Sequence, residues 1–384
     1  MRPGAMTLPP LATVVLLSLV VGCAGGTAGT RARSLQDAST VDALFRDYSG
    51  LERPGASVVV IHDGKVVLRR AYGLADLEKQ VPATPETNYR LASLTKQFTA
   101  TAILLLVQDR KLRLDDHVVD VLPGFPASLK DVRVHHLLQH TSGIWDYEDF
   151  VPATQTVQVK DRDVLELLNR TERTYFAPGT AVRYSNSGYA VLALLVQQVS
   201  GMPFAQFLHE RVFVPSGMRS SVAHEDGVST VVRRAYGYAV TRDGFPPRDQ
   251  SPTSAVLGDG GVYSSVDDLV AWDRTLDSHA LVGKELQEQA WTSPRLQGGT
   301  PSRYGFGWFV DNDGGRRRLS HHGETSGFTN AIVKYPDHRL TVIVLTNRAG
   351  GEPWTLAQYI ADQWLGPPAN PGSTWPFVTV PNAH

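Results

Sequence analysis

The sequence holds a single cysteine, Cys23, in 384 residues. One thiol excludes an intramolecular disulfide framework and any multi-cysteine zinc or iron-sulfur centre. The chain also lacks an excess of either charge. Its 37 Lys and Arg stand against 38 Asp and Glu, a formal net charge of -1, which gives no field to gather nucleic acid or an acidic membrane. No internal repeat is present, so a solenoid is excluded. What the chain has is apolar content: 42% hydrophobic residues over this length suffice for a sizeable core, in one large domain or two ordinary ones.

The N-terminus reads as an export signal. Leu11 to Val21 form an apolar run broken only by Thr13 and Ser18 and preceded by Arg2, too short for a transmembrane helix. The run ends in Val20-Val21-Gly22-Cys23, which resembles the bacterial lipoprotein signal. That resemblance implies cleavage after residue 22, lipidation of Cys23 and a three-chain anchor in the cell envelope. An ordinary signal peptide with an incidental cysteine is the other reading, and it too implies export. Residues 23–40, rich in Gly, Ala, Thr and Arg near their start, are expected to form a flexible tether.

Folding is expected from Val41. Ser57 to Ile61 and Lys65 to Arg69 are β-branched runs joined through Asp63-Gly64, a hairpin signal. Leu94 to Val107 are so densely apolar that they predict a helix buried on most sides, with Ser93 at its start. Helical stretches at Val164 to Leu168 and Ala190 to Val199, separated by loops rich in Pro, Gly and Asp, make residues 111–254 a mainly helical insertion. Arg317 to His322, Phe328 to Tyr335 and Leu340 to Leu345 read as strands completing the N-terminal sheet. Trp354 to Trp364 reads as a last helix, followed by a Pro-rich tail over 367–384. The expected fold is α/β (α+β): an antiparallel sheet flanked by helices, built from 41–110 and 255–366, around the 111–254 insertion.

Three constellations carry chemistry. In Ser93-Leu94-Thr95-Lys96, a spacing of three puts hydroxyl and amine on one helical face. The amine acts as base only if burial or nearby positive charge lowers its pKa from about 10.4, at about 1.36 kcal/mol per unit. A solvent-facing helical pair has the same pattern. In Tyr184-Ser185-Asn186, a phenol and a carboxamide lie on a loop ahead of a helix, fit to relay a proton and to orient an amine. A polar loop packed by aromatics reads the same way. Ser320-His321-His322-Gly323 ends one strand, on whose edge a substrate peptide would pair. The histidines, with His136 and His140, also suggest metal, but no Glu follows His136, and neither metal nor cofactor is expected. A Gly-x-Ser-x-Gly elbow is absent, which argues against the α/β-hydrolase route to serine chemistry.

In this order, Ser93-x-x-Lys96, Tyr184-x-Asn186 and His321-x-Gly323 resemble the three active-site motifs of the serine beta-lactamase and penicillin-binding-protein superfamily. The resemblance is to the class C beta-lactamase, esterase and D-aminopeptidase branch, whose third motif is often His-x-Gly. Leu137 to Gly143, Phe176-x-Pro178-Gly179, Pro215 to Met218 and Gly260 to Ser265 also resemble recurrent segments of that branch, so the likeness spans about Val41 to Leu365. It implies a beta-lactamase/transpeptidase-like fold and an acyl-enzyme on Ser93. Lys96 and Tyr184 would share the proton, and Asn186 would position Lys96 and substrate. His321 would stand where a lysine otherwise helps hold a substrate carboxylate. Backbone N–H groups of Ser93 and Glu324 would form the oxyanion hole, Glu324 replacing a commonly small residue. The expected activity is hydrolysis of an ester, amide or peptide, from a small-molecule or peptide substrate. D-alanyl carboxypeptidase or beta-lactamase activity on peptidoglycan-like substrates is the alternative within the class. A non-catalytic sensor lipoprotein is the alternative outside it.

Overall fold

The computed structural model describes residues 38–368 apart from 153 and 172. The expected signal peptide, Cys23 and most of the tether and the tail lie outside these residues. Six strands form the main sheet: β1 Ala56–His62, β2 Lys65–Tyr72, β3 Phe309–Asp313, β4 Arg316–Thr325, β5 Phe328–Tyr335 and β6 Leu340–Thr346. Their spatial order is β2-β1-β6-β5-β4-β3 and every pairing is antiparallel. The N-terminal hairpin thus docks through β1 onto the last strand, in the register Ala56 opposite Thr346 to His62 opposite Leu340. β3, an edge strand, has no counterpart among the sequence expectations. Its Phe309-Val-Asp-Asn-Asp is too short and too polar to show alternation.

Helices cover both faces of the sheet, which is why β1 and β6 are apolar at nearly every position. One face carries Val58, Val60, Val333, Val342 and Val344 against α1 Ala38–Leu44 and α8 Pro353–Leu365. The other carries Val59, Ile61, Ile332 and Ile343 against α7 Val266–Ser278, in a core shared with α2 Lys96–Gln108 and α5 Asn186–Ser200, which pack on each other. Successive residues of one strand therefore feed two cores, as the period of two requires.

Between α2 and α7 lie α3 Val134–Leu138, α4 Asp161–Leu168, α5 and a one-turn helix, α6 Leu257–Gly260. The region is less helical than its sequence suggests. Residues 224–256, where Pro246-Pro247 and Gly244 interrupt the chain, run as turns and isolated bridges. Helix α5 begins at Asn186, four residues ahead of the apolar run, because Ser185 caps it, its Oγ accepting the Gly188 N–H at 3.2 Å.

Candidate active site

Ser93 sits in a 3-10 turn, Ala92–Thr95, that leads directly into α2. Its neighbour Ala92 has φ +52°, a left-handed conformation costing about 1 kcal/mol for a residue with a Cβ. Packing holds it there. Gly260 lies beside Ala92, and Gly323 packs so closely on the turn that a Cβ there would stand 2.1 Å from the Leu91 carbonyl oxygen and 3.2 Å from Ala92 Cβ. Strain retained next to a reactive side chain is what a site needs to fix its nucleophile.

Lys96 is fully buried, whereas Ser93, Tyr184 and Asn186 around it are half-buried. Its Nζ lies 3.1 Å from Ser93 Oγ, 2.8 Å from Asn186 Oδ1 and 2.9 Å from the Asp259 carbonyl oxygen. Burial pushes the amine down to about 8, against the opposing pull of Asp259, Glu148 and Asp146. The same Nζ is 4.8 Å from the centre of the Tyr184 ring. Burial holds the Tyr184 phenol well above its ordinary range, although a hydrogen bond with the Ser93 side chain draws it back. Tyr184 is therefore a neutral phenol when Lys96 is already able to lose its proton.

Several groups that fix these residues lie outside the three motifs. His140, at φ +57°, accepts the Ser185 N–H on Nδ1 at 3.1 Å and packs against Tyr184 with ring centres 4.2 Å apart and planes tilted by 37°. Asp146 Oδ2 accepts the Asn186 N–H at 2.5 Å. The Tyr147 hydroxyl donates to Asp259 Oδ2 at 2.8 Å. Only Leu137 to Gly143, quoted as a recurrent segment, pointed toward this part of the cleft.

The third motif forms the opposite wall. His321 is buried, and both ring nitrogens are engaged: Nδ1 with the His322 carbonyl oxygen at 2.7 Å and Nε2 with the Tyr304 hydroxyl at 2.9 Å. A carbonyl only accepts, so Nδ1 carries the proton and Nε2 accepts from Tyr304. Burial keeps this ring well below its ordinary pKa and lowers His322 to about 4. His321 is thus a neutral ring with both nitrogens engaged, one of them by Tyr304. Gly323 brings β4 against the nucleophile turn, and the side chain of Glu324 is exposed, so its departure from a small residue is accommodated at the surface. Among the described residues, no group of three or more His, Cys, Asp or Glu side chains is placed to hold a metal.

A nucleophilic serine beside a buried, pKa-lowered lysine, on a helix packed against an antiparallel sheet, defines a serine hydrolase of the acyl-transfer type. Residues 41–363 match the Beta-lactamase family, and the chain belongs to that family. It is 32% identical over 323 residues to penicillin-binding protein 4* of Bacillus subtilis (strain 168), over 80% of this chain and 71% of that one. It is also 32% identical over 337 residues to a D-aminopeptidase of Brucella ovis, spanning 86% of this chain but only 63% of the relative. The solved octameric penicillin-binding protein homologue from Pyrococcus abyssi superposes with a TM-score of 0.75 at 29% identity, covering 91% of this chain and 80% of that one. A D-amino acid amidase from Ochrobactrum anthropi SV3 shares the fold, with a TM-score of 0.72 at 22% identity over 87% of this chain and 97% of that one.

Proposed function

We propose that the chain hydrolyses amide or peptide bonds of small substrates through an acyl-enzyme on Ser93. One observation carries this reading: of the three groups around Lys96 Nζ, two are carbonyl oxygens and only Ser93 has a proton to give. A neutral amine has two N–H bonds and one lone pair. Asn186 and Asp259 take the N–H bonds, so the lone pair is aimed at Ser93.

Lys96 accepts the Ser93 proton as Oγ attacks the carbonyl carbon. The oxyanion forms toward the N–H groups of Ser93 and Glu324, and the tetrahedral intermediate collapses as Tyr184 protonates the leaving nitrogen. Lys96 returns its proton to Tyr184. Water then attacks the acyl-enzyme, Lys96 takes a proton from it, and that proton goes back to Ser93 Oγ. Names borne by the relatives, a D-aminopeptidase and a penicillin-binding protein, support amide rather than ester substrates. The third motif presents neutral imidazoles in place of a lysine, which disfavours substrates that rely on a carboxylate, beta-lactams among them.

Hydrolysis of D-amino-acid amides and of short-chain nitrophenyl esters by the full-length protein, beside Ser93→Ala, tests the reading. Turnover lost in Ser93→Ala supports it. Turnover equal in both proteins sinks it, and turnover absent from both favours the sensor reading. We further propose export and lipid anchoring at Cys23, supported by the apolar run that ends there. Cys23→Ala should release the protein from membranes, and the absence of lipid mass on wild-type Cys23 would refute the anchor.

A further inference from the structure

Asp259 touches the catalytic lysine through its main chain and acts on it by charge through its side chain. It lies on α6, a one-turn helix tied to three others. Asp161, the first residue of α4, accepts the N–H groups of Leu257 and Gly258, each at 2.9 Å. Thr99 of α2 donates to the Gly258 carbonyl oxygen at 2.7 Å. Gly258 itself packs so closely on α5 that a Cβ there would stand 2.2 Å from the Tyr189 carbonyl oxygen. The turn therefore has little freedom, and the Asp259 carbonyl oxygen is held 2.9 Å from Lys96 Nζ. The carboxyl group of the same residue is buried, with the Tyr147 hydroxyl 2.8 Å from Oδ2. Tyr147 is anchored in turn by its own N–H, which donates to Ser187 Oγ at 2.8 Å.

We propose that Asp259 is a positioning residue for Lys96, its carbonyl oxygen fixing one amine N–H and its buried carboxylate setting the pH at which the amine becomes a base. This rests on the reading of Lys96 as the base for Ser93. Asp259 is the foremost charge acting on Lys96, and Lys96 the foremost charge acting on Asp259. Burial raises the Asp259 carboxyl to about 7, which places its titration next to that of Lys96 at about 8. The other titratable groups facing the amine are Asp146 and Glu148, the phenols of Tyr184 and Tyr189, which burial keeps neutral, and the ring nitrogens of His140, His321 and His322. Glu148 is open to solvent at its surface yet crowded enough that burial lifts it to about 7. The three imidazoles are held neutral by burial. Among these groups Asp259 alone both touches the amine and has its carboxyl buried and hydrogen-bonded by a phenol.

The sign follows. An ionised Asp259 favours the ammonium form of Lys96, so removing that charge lets Lys96 lose its proton at lower pH. In Asp259→Asn the main-chain carbonyl and an acceptor for Tyr147 both remain. The acid limb of kcat/KM should then move down by about one pH unit, within the range for a neighbouring charge. Tyr147→Phe removes the bond that favours the carboxylate, so it should move the limb the same way by less. A purely structural loss would lower kcat/KM equally at every pH.

The experiment is the pH profile of kcat/KM for the full-length parent, Asp259→Asn, Tyr147→Phe and Ser93→Ala on one amide substrate, with thermal melts of each. An acid limb unmoved in a folded Asp259→Asn would overturn the proposal. Should that variant not fold, Tyr147→Phe decides, and an unmoved or raised limb there overturns it. Residual turnover in Ser93→Ala would mean that the reading of the site, not only the role of Asp259, is wrong.

Discussion

Asn186 Oδ1 takes a hydrogen bond from Lys96 Nζ at 2.8 Å across 90 positions of chain. Asn186 is the first residue of α5 and Lys96 the first of α2. Two helix starts thus meet at the nucleophile. Ser185 caps α5 and Asp146 accepts the Asn186 N–H, so the carboxamide is held from its own backbone. Asn186→Ala should leave the amine free to turn its lone pair from Ser93. We expect kcat to fall about 10²-fold, the loss typical of a misplaced catalytic group, with KM changed far less. Steady-state kinetics on an amide substrate decide it, and an unchanged kcat would remove Asn186 from the mechanism.

The pH dependence of the parent follows from Lys96. Burial lowers this amine to about 8, and the base is competent only when unprotonated. Activity should therefore rise as pH increases through about 7 to 9, with its midpoint near 8, and level off above, with Tyr184 contributing no limb there because burial keeps its phenol neutral. Asn186→Asp would put a negative charge beside the amine, favour the ammonium and push the rise to higher pH. A rise that moved down instead would contradict the assignment of Lys96 as base.

Much of this site was legible because each motif is local. Ser93 and Lys96 are three apart, and Tyr184 and Asn186 two apart, so short-range spacing states their geometry. The strands β1, β5 and β6 were legible because apolar β-branched runs between turn residues leave little choice. Asp259, Tyr147 and Tyr304 were not. Each acts on a partner outside its own local segment, Tyr147 on Asp259 at a separation of 112 and Tyr304 on His321 at a separation of 17 that spans β3, and a lone Tyr or Asp carries no period. The start of α5 is marked in the sequence by Ser185, a capping residue three positions before Gly188, rather than by the apolar run that begins later. The 3-10 form of the Ser93 turn depends on Ala92 adopting a positive φ, which only tertiary packing imposes.

Gly323 is where β4 presses on the nucleophile turn. A Cβ there would sit 2.1 Å from Leu91 O and 3.1 Å from Ser93 N, and the nearest obstacle is backbone that cannot rotate away. Gly323→Ala should push β4 off the turn and widen the gap between the N–H groups of Ser93 and Glu324. Loss of one oxyanion donor costs about 10² to 10³ in kcat, so acylation should fall by that order while the melting temperature drops only modestly. Activity near that of the parent would show that the oxyanion is bound elsewhere.

Lys334 tests the scaffold apart from the chemistry. It lies on β5, where its Nζ donates to Asp273 at 2.8 Å and to Asp277 at 2.6 Å, both on α7, while Thr341 of β6 donates to Asp273 at 2.7 Å. Lys334 and Asp273 are almost wholly buried, whereas Asp277 is partly open. Lys334→Met would leave the Asp273 carboxylate buried with Thr341 but no cation, at a cost of about 3 to 5 kcal/mol. Asp273→Leu alone strands the ammonium, although Asp277 at the surface still pairs with it, so the loss should be smaller. The double variant Lys334→Met/Asp273→Leu removes both charges and fills the space with apolar atoms, and should recover part of what Lys334→Met loses. Denaturant melts of the four proteins measure the coupling. Added salt should change it little, because buried charges are poorly screened. Strictly additive losses would mean that the pair, despite its geometry, does not tie α7 to the sheet.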